Sequence, residues 1–261
     1  MAQIKIMQLN LNTKLAAQYE SQSQVIRVIT ENWVKNEIFC PNCGNSLNNF
    51  KNNKPVADFY CKICHEEYEL KSKKDKMSKK INDGAYNKMI ERLNSTNNPN
   101  FFFLNYSLQN YSVQNFIVIP KHFFIPEIIE KRKPLSKNAK RAGWIGCNIL
   151  LQNIPQSGKI FYIKNHKPED KEAVLKNWKK TLFLRELSGV NLKGWILDVM
   201  SCIDKLNKKE FTLDEVYSFE NILYQKHPDN KHIKDKIRQQ LQFLRDKGHI
   251  EFVSRGVYRL T

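Results

Sequence analysis

Residues 40–71 read CPNCGNSLNNFKNNKPVADFYCKICHEEYELK, and the fold turns on this stretch. It holds two C-x-x-C pairs, Cys40/Cys43 and Cys61/Cys64, with 17 residues between them. Two such knuckles at this separation supply four thiolates, a ligand set that closes a tetrahedron around Zn²⁺ and leaves no open position. The site is therefore expected to be structural. A redox reading would need one reactive C-x-x-C near a thioredoxin-like pattern, which is absent. His65 follows Cys64 directly and, with four thiolates at hand, is not expected to be a ligand. Cys147 and Cys202 sit in apolar runs and read as inert core thiols.

Around the second knuckle, VADFY (56–60) is β-branched and aromatic and reads as a strand, and EEYELKSK (66–73) alternates as a half-buried strand does. Residues two apart on a strand share a face, so Glu69 and Lys71 point the same way. If the two strands are neighbours, Asp58 lies beside them. Two carboxylates and an ammonium around a small volume suit metal-assisted phosphodiester hydrolysis. Asp58 and Glu69, with the Leu70 carbonyl, offer hard oxygen ligands for Mg²⁺. The metal would act as a Lewis acid on the phosphate, and Lys71 would place the water or stabilise the developing charge. The ordinary alternative is an exposed Asp and a strand salt bridge.

Working outward, 18–35 carries Val25, Val28, Ile29 and Trp33 near helical spacing, a covering helix on which Glu31 reads first as a surface glutamate, with a place facing the site as the alternative. Downstream, AYNKMIERL (85–93) reads as a helix, and NFFFLNY (100–106) and NFIVIP (115–120) as strands, with Phe101, Phe102 and Phe103 in the core. The polar stretch NHKPEDKE (165–172) reads as a loop. The class is α/β with a mixed sheet.

Hydrophobic residues make up 41% of the 261, enough for a real core, so a wholly disordered chain is excluded. The sequence lacks an apolar run of the length that spans a bilayer, and MAQIKIMQLNLN has no signal-like apolar region. A soluble, cytoplasmic protein with no membrane partner is expected. Forty-three Lys plus Arg against 26 Asp plus Glu give a net charge of +17, which favours a polyanionic partner. Residues 1–193 carry 31 basic and 16 acidic residues, whereas 194–261 carry 12 and 10. Two basic runs stand out, 71–80 and 131–141; the second, with Lys131, Arg132, Lys140 and Arg141, is a candidate DNA contact.

The C-terminal part reads as a winged helix. GWILDVMSCIDKL (194–206) forms a first helix, and Thr212 with Glu215 opens a second through a capping box. HIKDKIRQQLQFLRDK (232–247) forms a third, with Ile233, Ile237, Leu241 and Leu244 as its buried stripe. Two strands, 250–253 and 257–260, make the wing. The third helix would read DNA with Lys231, His232, Lys234, Arg238 and Gln239, and Arg255 in the wing would touch the backbone or the minor groove. The domain boundary falls at 190/191.

The spacing D-x(10)-E-x-K resembles the PD-(D/E)-x-K nuclease superfamily, although Val-Ala precedes Asp58 where the literal motif has Pro. The runs CPNCGNSLNNF, NKPVADFYC, EYELKSKK, INDGAY, NNPNFFFL, RAGWIGCNI and HIKDKIRQQLQFLRDK, in this order along almost the whole chain, resemble the DpnI-type family of methyl-directed type II restriction endonucleases. The resemblance implies a PD-(D/E)-x-K catalytic domain over 1–190 and a winged-helix DNA-binding domain over 191–261. The former carries a four-Cys zinc insertion at Cys40, Cys43, Cys61 and Cys64. It implies Asp58, Glu69 and Lys71 as catalytic residues, Mg²⁺ as the catalytic ion, and double-stranded DNA methylated at adenine, Gm6ATC, as substrate. A monomer in solution is expected. The rival from another class is a catalytically idle methyl-DNA-binding regulator. N6-methyladenine adds an apolar methyl to the major groove, so a reader needs an aromatic or aliphatic wall. Trp144, in the basic, Gly-flanked segment KRAGWIG, is the candidate in the catalytic domain.

Overall fold

The computed structural model describes residues 7–50, 57–93, 95, 98–187 and 189–261. Val56, the first residue of the expected strand VADFY, lies outside the described residues. The chain packs into two compact units, Met1–Leu151 with Ser157–Thr181, and Gln152–Gln156 with Leu182–Thr261.

The first unit runs α1 (Gln22–Glu37), β1 (Asn48–Asn49), β2 (Phe59–Tyr60), β3 (Glu67–Lys74), β4 (Lys80–Ala85), α2 (Tyr86–Leu93), β5 (Asn100–Tyr106), β6 (Val113–Ile119), β7 (Ile129–Lys131), β8 (Gly146–Leu150), β9 (Ile160–Lys164), β10 (Lys167–Pro168) and α3 (Lys171–Lys179). Seven strands form a mixed sheet in the order β1-β2-β3-β5-β6-β9-β10, and three form a smaller one, β4-β8-β7. The β3–β5 pair is parallel, with Glu69 beside Phe101, Leu70 beside Phe102 and Lys71 beside Phe103. A parallel pair needs a crossover, and β4 with α2 provides it.

β5 is buried along its whole length, and its apolar run Phe101 to Leu104 suits a strand covered on both faces. Phe102 stacks on Tyr68 at 4.5 Å between ring centroids and meets Phe116 at 5.1 Å; Phe116 meets Trp33 of α1 at 5.4 Å. On the other face Phe101 stacks on Phe124 at 4.3 Å. α1 turns Ile26, Ile29, Thr30, Trp33 and Val34 inward, one stripe at helical spacing.

Two readings of this unit need correction. The stretch 165–172 is not all loop: Asn165 and His166 turn the chain at positive φ (49° and 63°), β10 follows, and α3 starts at Lys171. Of the described residues of VADFY, Ala57 to Tyr60, only Phe59 and Tyr60 are in a strand; Asp58 lies at a bend, with its side chain accepting from the Leu70 amide.

The second unit contains α4 (Val190–Leu206), β11 (Glu210–Thr212), α5 (Leu213–Tyr217), α6 (Glu220–Lys226), α7 (Ile233–Asp246), β12 (Ile250–Ser254) and β13 (Val257–Leu260). The three strands pair in the order β11-β13-β12. This is a winged helix, with two differences from the expected one. The second helix breaks at Ser218–Phe219 into α5 and α6, and Glu210–Thr212 adds a third strand to the wing. The capping box of Thr212 and Glu215 is present. Leu182–Glu186 belongs to this unit because Phe183 packs on Phe243 and His249, and Glu186 pairs with Lys247 at 3.0 Å. Among the described residues no helix is long and apolar enough to cross a membrane.

Candidate active site and metal centre

The four cysteines converge. The sulfurs of Cys40, Cys43, Cys61 and Cys64 all lie within 4.8 Å of one another, with Cys40–Cys64 and Cys43–Cys61 at 3.4 Å. That is far beyond a disulfide bond of about 2.05 Å. It is close to the edge of about 3.8 Å that a tetrahedron with metal–sulfur bonds of about 2.3 Å requires. The group could hold a metal ion. Each knuckle is a tight backbone turn: Gly44 N donates to Cys40 O at 2.8 Å, and His65 N donates to Cys61 O at 3.0 Å. The residue after each second cysteine is left-handed, Gly44 at φ +75° and His65 at φ +59°. His65 thus serves the turn, not the sulfur cluster. α3 pins the first knuckle, with Trp178 Nε1 donating to Asn42 Oδ1 at 3.0 Å and Lys171 Nζ to Gly44 O at 2.8 Å.

β3 carries the second site. β2 pairs with it only at Glu67 and Tyr68, so from Glu69 onward no described strand pairs with this edge. Asp58 sits there, its Oδ2 accepting from Leu70 N at 2.7 Å. A strand residue turns its N–H and C=O to the same side, so the Leu70 carbonyl also faces Asp58. Across this edge α1 completes a cleft of about 180 Å³ lined by Ser23, Arg27, Thr30, Glu31, Asp58, Leu70 and Ser72. Glu31 does face Asp58, and Arg27 Nε holds it at 2.6 Å. Burial pushes the Asp58 carboxyl above its ordinary range against the pull of the Leu70 hydrogen bond; Glu31 pushes the same way, and Lys71 and Arg27 oppose.

Glu69 and Lys71 alternate out of that cleft onto the face shared with Phe101 and Phe103. The Lys71 ammonium lies 2.5 Å from Glu69 Oε1 and 2.5 Å from Asp83 Oδ1. Arg92 Nη2 donates to Glu69 Oε2 at 2.5 Å and its guanidinium covers Phe101. Burial works against the charge on Lys71, but the Glu69 and Asp83 carboxylates outweigh it and hold its pKa above the ordinary value. So the structure joins Glu69 to Lys71 and sets Asp58 on the edge of the same strand. The sequence reading missed Asp83, Arg92 and Arg27. The one sequence signal for Asp83 is the Gly that follows it in INDGAY, a mark of an irregular strand. Cys147 lies opposite Asp83, buried, with burial pushing its thiol up to about 11. Burial lifts Cys202 likewise to about 11, so both behave as unreactive core thiols.

A model of the DpnI family, described as Dam-replacing, matches residues 7–187, and a model of the Dam-replacing HTH domain, DpnI_C, matches residues 191–260. The chain belongs to the DpnI family. Membership makes it a methyl-dependent restriction endonuclease by family, with DNA as its partner through the helix-turn-helix domain.

Two surfaces of this DpnI-family chain bear the residues expected at DNA. In the first unit, 132–145 forms an arm closed by Leu135 N to Trp144 O at 3.0 Å and Gly143 N to Leu135 O at 3.1 Å. Lys131, Lys140 and Arg141 are exposed, and Arg132 is half-buried. Trp144 is half-buried too, with the Arg141 guanidinium 4.7 Å above its ring. A β-carbon at Gly146 would lie 2.7 Å from that ring, so the glycine makes room for it. In the second unit, Lys231 and His232 are exposed just before α7, and Lys234, Arg238 and Gln239 are exposed on it, opposite buried Ile233, Ile237, Leu241 and Leu244. Lys234 pairs with Glu220 at 3.5 Å, and Gln239 accepts from Lys236 at 2.7 Å. Arg238, Gln242 and Arg245 of α7 face Arg255 and Tyr258 of the wing across a groove of about 720 Å³. Gln242 and Arg245 were not foreseen, although their spacing from Arg238 places them along one helix face.

Proposed function

We propose that this chain is a Mg²⁺-dependent endonuclease that cleaves double-stranded DNA at sites containing N6-methyladenine, Gm6ATC by the resemblance of its sequence, and that it works as a monomer with Zn²⁺ in the cysteine cluster. The observation that carries the reading is β3 of a chain of a restriction family: Asp58 and Leu70 meet on its edge, and Glu69 and Lys71 pair on its neighbouring face. The donor set fits a hard cation: two carboxylates and a carbonyl, with Glu31 as a third carboxylate in the cleft. Bound there, Mg²⁺ would polarise the scissile phosphate and acidify a water. Asp58 and Glu69 are the residues to hold it. Lys71 orients the water that adds to phosphorus and offsets the negative charge that builds before the sugar oxygen leaves.

The zinc reading rests on the four-sulfur geometry and on a chemistry that suits a soft, closed site. For the target, the arm with Lys131, Arg132, Lys140 and Arg141 engages phosphates, and Trp144 forms the wall against the adenine methyl. Lys231, His232, Lys234, Arg238 and Gln239 enter the major groove, and Arg255 holds the neighbouring backbone.

A plasmid digest tests this. Plasmid methylated at GATC adenines and its unmethylated twin are incubated with Mg²⁺ or with EDTA, using wild type and Lys71→Ala. Fragments at GATC are expected only from methylated DNA, with Mg²⁺ and with wild type. Intact DNA in every lane, with methyl-dependent gel shifts retained, would leave a binding regulator. Cutting of unmethylated DNA would discard the target while keeping the nuclease.

A further inference from the structure

Lys71 is held from two sides. Asp83, Lys71, Glu69 and Arg92 form a line of four charges that alternate in sign and sum to zero. They come from β4, β3 and α2. Asp83 is the most enclosed, its side chain only 4% exposed, against 23% for Lys71. The backbone is shaped to put it there. β4 pairs with β8 until Asp83 meets Cys147, then slips one residue before Ala85 meets Gly146. Such a bulge bends a strand and re-aims a side chain. Gly84, the extra residue, donates its N–H to Asp83 Oδ1 at 2.7 Å and locks the carboxylate.

A lysine stem has four rotatable bonds, and one anion two residues away on the same strand fixes its tip poorly. A second anion from another sheet fixes it at two points. Of the three N–H donors on the ammonium, the two carboxylates take two, and one remains for a water or a phosphate oxygen. Asp83 Oδ2 and Arg92 Nε are buried without a hydrogen bond in the structure, so the line also keeps an acceptor and a donor in reserve beside that point.

We infer that Asp83 is a positioning residue for strand cleavage: it aims the Lys71 ammonium, as Arg92 aims the Glu69 carboxylate. The inference rests on the reading of Glu69 and Lys71 as the catalytic pair.

Its test is single-turnover cleavage of a methylated GATC duplex by excess enzyme, with duplex affinity measured in parallel without Mg²⁺. Asp83→Asn should slow the cleavage step about 100-fold, the cost of a group misplaced by about 1 Å, while affinity and melting temperature stay near wild type. Asp83→Glu, which restores the charge, should recover part of the rate. In a Lys71→Ala background Asp83→Asn should cost nothing further, because it acts only through Lys71. A structural role would add its cost in both backgrounds, and that additivity overturns the inference. So does a wild-type rate in Asp83→Asn when Lys71→Ala is inactive. If Lys71→Ala itself cleaves normally, the catalytic reading fails first. Should Asp83→Asn not fold, Arg92→Gln against Glu69→Ala runs the same cycle, with the same two outcomes.

Discussion

The four sulfurs and the four charges beside β3 are assembled in opposite ways. The sulfurs come in two pairs, each made by one tight turn, and the turns are complete in themselves. The charges are gathered from two strands of different sheets and a helix, and each pairing between segments joins residues more than ten positions apart, Lys71 with Asp83 and Glu69 with Arg92. The sulfurs are like groups: as thiolates they repel, and a shared cation is what makes their convergence favourable. The charges neutralise one another and need no ion to coexist. The first arrangement is therefore a device for folding, the second for aiming. Loss of one member should damage different properties.

The largest effect is expected on the sulfur side. Cys61→Ser, or removal of zinc by a chelator, should cost several kcal/mol of stability, since structural Zn²⁺ binding supplies on the order of 10 kcal/mol in small domains. Thermal melting with metal analysis checks this. An unchanged melt with no bound zinc would erase the contrast. On the charge side, Lys71→Ala and Glu69→Ala should each reduce cleavage about 1000-fold or more, roughly 4 kcal/mol, with melting nearly unmoved. If either variant melts as badly as Cys61→Ser, the charge line is a folding element after all. In the second unit, Arg238→Ala should weaken binding of methylated duplex by about 1–3 kcal/mol, the worth of one bidentate base contact. Fluorescence titration measures it, and a shallower salt dependence at the same position would indicate a phosphate contact instead. The smallest effect belongs to Trp144→Ala, which should lower the preference for methylated over unmethylated duplex about fivefold, near 1 kcal/mol for a buried methyl. Gly146→Ala should mimic it by displacing the ring. An unchanged preference in both removes Trp144 as the wall.

The same contrast explains what was legible in the sequence. The knuckles could be read because all that defines them lies within a few residues. Glu69 and Lys71 were paired by strand alternation, and the buried stripe of α7 by helical period. Glu31 could be placed opposite Asp58 only as far as α1 could be placed. Asp83 and Arg92 could not be read, because their partners are set by how β4 and α2 cross over β3, which no local pattern encodes. The split of α5 from α6 at Ser218–Phe219 carries no Gly or Pro, so no local signal marked it. The extension of that unit back to Leu182 rests on Phe183, an aromatic whose partner lies some sixty residues away on α7.

The edge of β3 from Glu69 onward, where no described strand pairs, has one more consequence. A strand with unpaired amides and carbonyls invites any other extended chain to dock on it and propagate a sheet. On the proposed function this edge cannot simply be covered, since Asp58 and the Leu70 carbonyl would have to stay reachable. The strand ends instead in exposed Lys73 and Lys74, with Lys76 just beyond. Their repulsion turns away a second copy of the same strand while drawing in a phosphate chain of opposite charge. Part of the chain's basic excess should then guard against self-association: replacing these lysines with serine should show first as aggregation at high concentration, before any loss of cleavage in dilute solution.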